Sequence, residues 1–256
     1  MKAMILAAGL GTRLRPLTDH RPKALVEVAG RTLLEMTLSR LRESGIRDVI
    51  VNVHHFPDMI VDYLNANDSF GMRIEVSREE TLLDTGGGLK KASYFFRKDS
   101  DGAEMPFVLH NVDVISTIDL GRMAKFHAEN QALATLAVQD RATSRYLLFD
   151  KQLRLCGRRS GPDQKPDRKP DQKDEPPRSL QSAQALAFSG IHIISPRLFA
   201  MMTEEGAFSI IASYLRLAAC GEKIIAFRAD DSYWRDLGRQ DDLLKVAQDI
   251  EQKHLP

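Results

Sequence analysis

The chain has 256 residues, of which 43% are apolar and 28% charged, with 16 Gly and 11 Pro. This composition excludes collagen-like, coiled-coil and wholly disordered classes. With 36 Lys plus Arg against 35 Asp plus Glu, the net charge is +1, which leaves no global electrostatic footprint for nucleic acid or an anionic membrane. No apolar run approaches the ~18 residues that would cross a bilayer. Cys156 and Cys220 form no close pair and read as reduced thiols of a cytoplasmic protein. The N-terminal apolar stretch runs straight into Arg13, Arg15 and Pro16, which fits a first strand rather than a signal peptide.

Lys2 to Leu6 reads as a strand that ends in a Gly-rich turn. Leu34, Leu38 and Leu41 share one face of a helix that Gly45 terminates. The β-branched run Val49 to Val53 predicts a strand, Asp58 to Leu64 a helix, and Met72 to Val76 and Phe107 to Leu109 further strands. Asp119 is placed to cap a helix carrying Met123, Phe126 and His127, and Leu133 to Val138 follows as a strand. The alternation implies an α/β, Rossmann-like three-layer sandwich with a mixed, mainly parallel sheet, whose site lies at the strands' carboxyl ends. Gly157 to Ser179 has no aliphatic or aromatic side chain and contains a Pro-Asp-x-Lys near-repeat, so it reads as a flexible polar insertion in a single 1–256 domain, either inert or a lid whose Lys and Arg meet phosphates. Beyond it, Leu186 to Ile194 predicts a buried strand. Helices at Pro196 to Met202 and Ile210 to Ala219, a strand at Lys223 to Phe227 and a helix from Gln240 complete the chain.

The turn after the first strand, Ala7-Ala8-Gly9-Leu10-Gly11-Thr12-Arg13, carries the clearest chemistry. Small residues let backbone amides approach phosphate oxygens, and Arg13, Arg15 and Lys23 supply fixed cations for a triphosphate. It is no Walker loop, because no Gly-Lys-Ser/Thr follows. Nor is it a dinucleotide fingerprint: Leu14 replaces the third Gly, and strand two ends in His54-His55 rather than an acid. His54 and His55 lack the partners of a metal site, His110 beside Asn111 reads as a packing or supporting group rather than a catalytic base, and nothing near Cys156 would activate a thiol.

Leu6-Ala7-Ala8-Gly9-x-Gly11-Thr12-Arg13-Leu14-x-Pro16-Leu17-Thr18, followed by Pro22-Lys23, resembles the signature of sugar-1-phosphate nucleotidylyltransferases. The resemblance covers most of the chain. Asp84-Thr85-Gly86-Gly87-Gly88 is similar to the family's second nucleotide loop, Asn111-Val112-Asp113 to its Asn-Gly-Asp metal motif, Phe188-Ser189-Gly190-Ile191 to its sugar-site strand, and Trp234-x-Asp236-x-Gly238 to its late acidic motif. The form most resembles N-acetylmuramate-1-phosphate uridylyltransferases and mannose-1-phosphate guanylyltransferases, which implies NDP-sugar biosynthesis for the cell envelope.

This resemblance implies that a sugar 1-phosphate attacks the α-phosphorus of a nucleoside triphosphate and expels pyrophosphate, with Mg²⁺ held by Asp113 and Asp236. Arg13, Lys23, Asp113 and Asp236 are then the catalytic set. Ala7, Ala8, Gly9, Gly11, Thr12, Glu79, Asp84, Thr85, Gly86, Gly87 and Asn111 would bind the nucleotide, and Asn111, Gly190 and Trp234 the sugar. No general base is needed, since the attacking phosphate is already ionised near neutral pH. Two departures bear on the sugar side. Val112 replaces the usual Gly, which would narrow the pocket, and the Glu-Lys-Pro element that many relatives use on the sugar phosphate is missing. Two alternatives remain: CMP transfer to phosphocholine or a similar phosphate, and a non-catalytic nucleotide-sugar sensor. No hexapeptide repeats follow the last helix, so an appended β-helix domain is not expected. The base, the sugar and the oligomeric state stay open.

Overall fold

A computed structural model of the protein describes residues 1–96, 105–161 and 183–252. Its strands are β1 (Ala3–Leu6), β2 (Glu27–Val28), β3 (Arg31–Thr32), β4 (Asp48–Val53), β5 (Arg73–Arg78), β6 (Phe107–Asn111), β7 (Val114–Ser116), β8 (Ala134–Gln139), β9 (Arg145–Phe149), β10 (Leu155–Ser160), β11 (Gln184–Ile194), β12 (Ile224–Arg228) and β13 (Trp234–Asp236). The helices are α1 (Leu33–Glu43), α2 (Pro57–Ala66), α3 (Asp84–Lys91), α4 (Leu120–Glu129), α5 (Ile210–Ala219) and α6 (Gln240–Glu251). Pro196–Met201 forms a 3-10 helix where a helix was expected.

The central sheet has nine strands. β5, β4, β1 and β6 run parallel, β11 opposes β6, and β8 and β9 both pair antiparallel with β11. β12 lies parallel to β8, and β10 antiparallel to β9. Among the described residues, β10 and β11 therefore run against the other seven strands, which gives the mixed, mostly parallel sheet expected.

Both faces of the sheet's inner strands are buried. Along β1, Ala3 and Ile5 enter one core and Met4 the other; Val49 and Val51 are divided from Ile50 in the same way on β4. Leu34, Leu38, Ile60 and Met123 cover the first face, and Leu89, Ile210, Tyr214 and Leu217 the second. That arrangement explains the continuous β-branched runs, because a strand covered on both sides needs no polar face.

The chain ends of the helices follow local chemistry. Thr32 caps α1 by accepting from the Glu35 N–H at 3.0 Å, and Asp119 caps α4 by accepting from the Arg122 N–H at 2.9 Å. Helix α1 stops as predicted at Gly45, with Ile46 N–H donating to Leu41 O and Gly45 N–H to Arg42 O.

One expectation is corrected. Gly157 to Ser160 belongs to β10 and pairs with Arg145 to Leu148 of β9. Its polar sequence reflects an exposed sheet edge, where the outward face needs no apolar side chain. Gly161 N–H donates to Ser144 O at 2.7 Å, and the rest of the expected insertion, 162–179, lies outside the described residues.

Candidate active site

A cavity of about 550 Å³ opens at the carboxyl ends of β1 and β6. Ala7, Ala8, Gly9, Gly11, Thr12 and Arg13 form one wall, and Asp84 and Thr85 another, with Lys23, Asn111 and Asp113 also exposed to it. Gly11 has φ 66°, and a Cβ there would lie 2.8 Å from Thr18 Cγ2. The Thr18 hydroxyl donates to Gly11 O at 2.9 Å and fixes the turn. Only glycine combines that backbone with that contact.

Asp113 follows β6, whereas Asp236 ends β13. The ribbon of β7 and β13 unites them: Asp236 is in register with Val114, and Leu237 N–H donates to Asp113 O at 2.8 Å. Lys23 Nζ pairs with the Asp113 carboxylate. Burial, then the neighbouring Asp113 carboxylate, holds the Asp236 carboxyl above its ordinary range, against the pull of Lys23 and Arg13 and a bond from Gly238 N–H. Asp236 Oδ1 is buried without a hydrogen-bond partner. A Cβ on Gly238 would stand 2.6 Å from an Arg13 Nη and 2.7 Å from Asp236 Oδ1, so Arg13, Asp236 and Gly238 meet at one point.

Two converging carboxylates, one with an orphaned oxygen, fit a hard divalent cation that completes its shell with phosphate and water oxygens. Among the described residues no cluster of three or more His, Cys, Asp or Glu surrounds a metal position. A Mg²⁺ that keeps phosphate and water oxygens as ligands is ordinarily bound through only one or two carboxylates.

Several expected residues lie away from the cavity surface. Glu79 is buried, its Oε1 accepting from Asn52 Nδ2 at 2.6 Å and its Oε2 from Leu83 N–H at 2.9 Å. Asn52 Oδ1 in turn accepts from Ala7 N–H at 2.8 Å. This buried relay ties the first loop to the segment before α3. Asn52 was visible in sequence only as a polar residue inside a β-branched strand. The glycines of α3 also serve packing. A Cβ on Gly86 would overlap the Phe208 ring, one on Gly87 would overlap Gly206 O, and one on Gly88 would lie 2.6 Å from Glu79 Oε1. The amides of Gly86 and Gly87 point to Phe208 O, at 2.8 and 3.3 Å, and the Thr85 hydroxyl accepts from Ile210 N–H at 3.0 Å.

The sugar-site motif forms a bulge. β11 advances from Phe188 to His192 while β8 advances only from Val138 to Leu136, which leaves Ser189 and Gly190 as the irregularity. Gly190 has φ 73°, and a Cβ there would lie 2.9 Å from Asn111 Nδ2 and from Val114 Cγ2. It lets the bulge pack beside Asn111. Trp234 Nε1 donates to Ser189 O at 2.8 Å. Val112 is 4% exposed and joins the α1-side core, with no left-handed backbone, so a Gly is not required at this position. His110 is fully buried, and desolvation pushes it down to about 4. It is a neutral packing group at physiological pH.

A parallel-dominated sheet with a glycine-lined mouth, two cations and a pair of acids defines a phosphate-handling transferase of the α/β class. Residues 2–253 match the model of the nucleotidyl transferase family. The chain belongs to that family and is an enzyme of nucleotidyl transfer. It is 34% identical over 241 residues to the N-acetylmuramate alpha-1-phosphate uridylyltransferase of Caulobacter vibrioides, covering 92% of this chain and 91% of that one. It is 28% identical over 249 residues to a mannose-1-phosphate guanylyltransferase of Mycobacterium tuberculosis, of which it spans 64%. Among solved structures, HddC from Yersinia pseudotuberculosis complexed with GMP-PN shares the fold with a TM-score of 0.73 at 20% identity, over 97% of this chain and 99% of that one. A putative glucose-1-phosphate thymidylyltransferase from Bacillus anthracis shares it with a TM-score of 0.75 at 17% identity, over 98% and 94%. No described helix is long and apolar enough to cross a membrane.

Proposed function

We propose that this enzyme condenses a nucleoside triphosphate with a sugar 1-phosphate to give an NDP-sugar and pyrophosphate, with UTP and N-acetylmuramate 1-phosphate as its preferred pair. The observation that carries the reaction type is the glycine-lined cavity with Arg13, Lys23 and Asp113 on its wall and Asp236 buried beside Arg13 and Asp113. The preferred pair rests on likeness to the uridylyltransferase, which runs nearly end to end in both chains.

In this reading the first loop binds the triphosphate with its amides and Arg13, whose planar fork suits phosphate oxygens. Lys23, a compact charge at the cavity wall, stabilises the α-phosphoryl group as negative charge develops on it. Asp113 and Asp236 hold Mg²⁺, which when bound neutralises phosphate charge. Asp84 and Thr85 border the base and ribose, and Asn111 borders the sugar. The relay from Ala7 through Asn52 to Glu79 keeps the first loop in register with the second. Holding the two polyanions together is the larger part of the task. The free thiols of Cys156 and Cys220 support a cytoplasmic setting.

The test is a pyrophosphate-release screen of UTP, GTP, CTP, ATP and dTTP against N-acetylmuramate, mannose and glucose 1-phosphates with Mg²⁺. Turnover highest with UTP and N-acetylmuramate 1-phosphate is expected. Silence across this panel, or turnover only with CTP and phosphocholine added as a further acceptor, overturns the reading.

A further inference from the structure

Arg141 lies in the turn between β8 and β9 and was not singled out by any motif. Its guanidinium stacks on the Trp234 ring at 3.4 Å from the centroid. Its Nη2 donates to Phe188 O at 2.9 Å, one residue from the Ser189 carbonyl that Trp234 Nε1 holds. Cation and ring are thus anchored on consecutive carbonyls of the β11 bulge. The turn itself is fixed: Gln139 Nε2 donates to Ala229 O and Ser232 O, both at 2.8 Å, and Asp140 N–H donates to Asp230 Oδ1 at 2.7 Å.

The corner is rich in unmet hydrogen-bonding capacity. Among the described residues seven buried side-chain polar atoms lack a partner, and three of them are Arg141 Nε, Ser189 Oγ and Asp236 Oδ1. Buried polar groups are ordinarily satisfied. Burial lowers the Arg141 guanidinium to about 10, with Asp236 pulling the other way. It therefore remains cationic at neutral pH. Trp234 and Asp236 share one face of β13, being two residues apart on a strand. From Trp234 to Gly238 the chain passes from the Arg141 stack, by Asp236, to Arg13. Arg141 thus stands on the bulge side of Asp236, whereas Arg13 and Lys23 stand on the nucleotide-loop side.

We infer that Arg141, clamped on Trp234 at the β11 bulge, binds an oxyanion of the incoming sugar 1-phosphate. This rests on the reading that the enzyme uses a sugar 1-phosphate. An arginine whose plane is held by a ring presents its N–H groups edge-on, the geometry that phosphate and carboxylate oxygens accept. The oxyanion has two sources. Every sugar 1-phosphate carries the phosphate, and N-acetylmuramate adds a lactyl carboxylate.

The experiment compares wild type, Arg141→Gln and Arg141→Lys with UTP against N-acetylmuramate 1-phosphate and against N-acetylglucosamine 1-phosphate, which lacks the carboxylate. Arg141→Gln is expected to raise KM for the sugar phosphate about 10- to 100-fold while KM for UTP stays within twofold. Arg141→Lys keeps the charge without the plane, and is expected to recover part of the loss. Titration of sugar phosphate into enzyme with a non-hydrolysable UTP analogue must show the same weakening. Equal losses on both sugars assign the phosphate, and a loss confined to N-acetylmuramate 1-phosphate assigns the carboxylate. Unchanged sugar-phosphate KM in Arg141→Gln, with wild type active, overturns the inference alone. A fall in Tm in both variants with both KM values moving together shows a structural arginine and also overturns it. Wild-type silence with every sugar phosphate overturns the functional reading itself.

Discussion

Lys23 reaches across 90 positions of sequence to pair with the carboxylate of Asp113. The two side chains are only 10% and 20% exposed. The lysine opens a one-turn 3-10 helix behind Pro22, whose own preset φ of −68° leads the chain into that turn. The pair holds the ammonium at the cavity wall, where on the proposed function a triphosphate oxygen would compete for it. Each partner also keeps the other from being a buried, uncompensated charge.

Lys23→Ala is accordingly expected to lower kcat about 100-fold, the order seen when one transition-state donor is removed, while NTP binding weakens much less. Arg13→Ala should weaken binding in the ground state as well. Steady-state rates together with isothermal titration of a non-hydrolysable NTP separate the two effects. If Lys23→Ala keeps full turnover at saturation, Lys23 is a binding residue only.

Asp236 is held above its ordinary range by burial and by Asp113, so ionising it costs folding energy that a bound cation returns. Asp236→Asn should reduce turnover below about a tenth of wild type, yet leave the metal-free Tm unchanged or raised. Adding Mg²⁺ should lift the Tm of the wild type and not that of the variant. Scanning calorimetry with and without Mg²⁺ reads this directly. A large fall in metal-free Tm in Asp236→Asn would show the carboxylate to be structural.

The inner strands of the sheet were legible because both their faces are covered, so that Val49 to Val53 and Leu133 to Val138 advertise themselves as apolar runs. Strands β2, β3, β7, β9, β10 and β13 were not. Four of them, β2, β3, β7 and β13, have two or three residues each, too short for any periodicity, and β10 carries arginines at an exposed edge. The first loop, Lys23, Asp113 and Asp236 could be named from motifs, but the ion pair and the shared ribbon depend on register between distant strands. Glu79, Gly86 and Gly87 matched nucleotide motifs while being used here for internal hydrogen bonds and close packing. Arg141 left no sequence signal, since its role depends on Trp234, which lies far along the chain.

The glycines of α3 and of the first loop should respond in opposite ways to alanine. A Cβ on Gly86 meets the Phe208 ring and lies 2.9 Å from its carbonyl oxygen, whereas nothing stands within 4 Å of one on Gly9. Overpacking costs about 1–3 kcal/mol, partly offset by the ~1 kcal/mol helix preference of Ala over Gly. Gly86→Ala is expected to lower Tm by a few degrees, at about 2–4 °C per kcal/mol. Phe208→Leu in the same chain should recover part of that loss. Gly9→Ala should leave Tm unchanged and weaken NTP binding, because Gly9 lines the cavity. Thermal melts and NTP titration of the three variants decide it. Equal Tm for Gly86→Ala and wild type would show that the contact relaxes without cost.

Stability should fall on mild acidification, through histidines that the fold keeps neutral. Burial pushes His127 and His110 down to about 4, and His192 to about 3. His127 Nδ1 lies 3.0 Å from Thr135 Oγ1, and His192 Nδ1 lies 3.0 Å from Tyr214 Oη. A histidine with a depressed folded pKa binds its proton first in the unfolded chain, so the native state loses ground once pH drops below about 6.5. The loss continues until pH reaches the folded value, with a limiting slope of about 1.4 kcal/mol per pH unit for each histidine. Above about pH 7 these groups contribute no pH dependence. Urea unfolding at pH 7.5, 6.5, 5.5 and 4.5 should therefore give a stability curve that is flat at first and then descends, and His127→Gln should make the descent shallower. A curve equally steep in His127→Gln and wild type would show that His127 takes up its proton without loss of the fold.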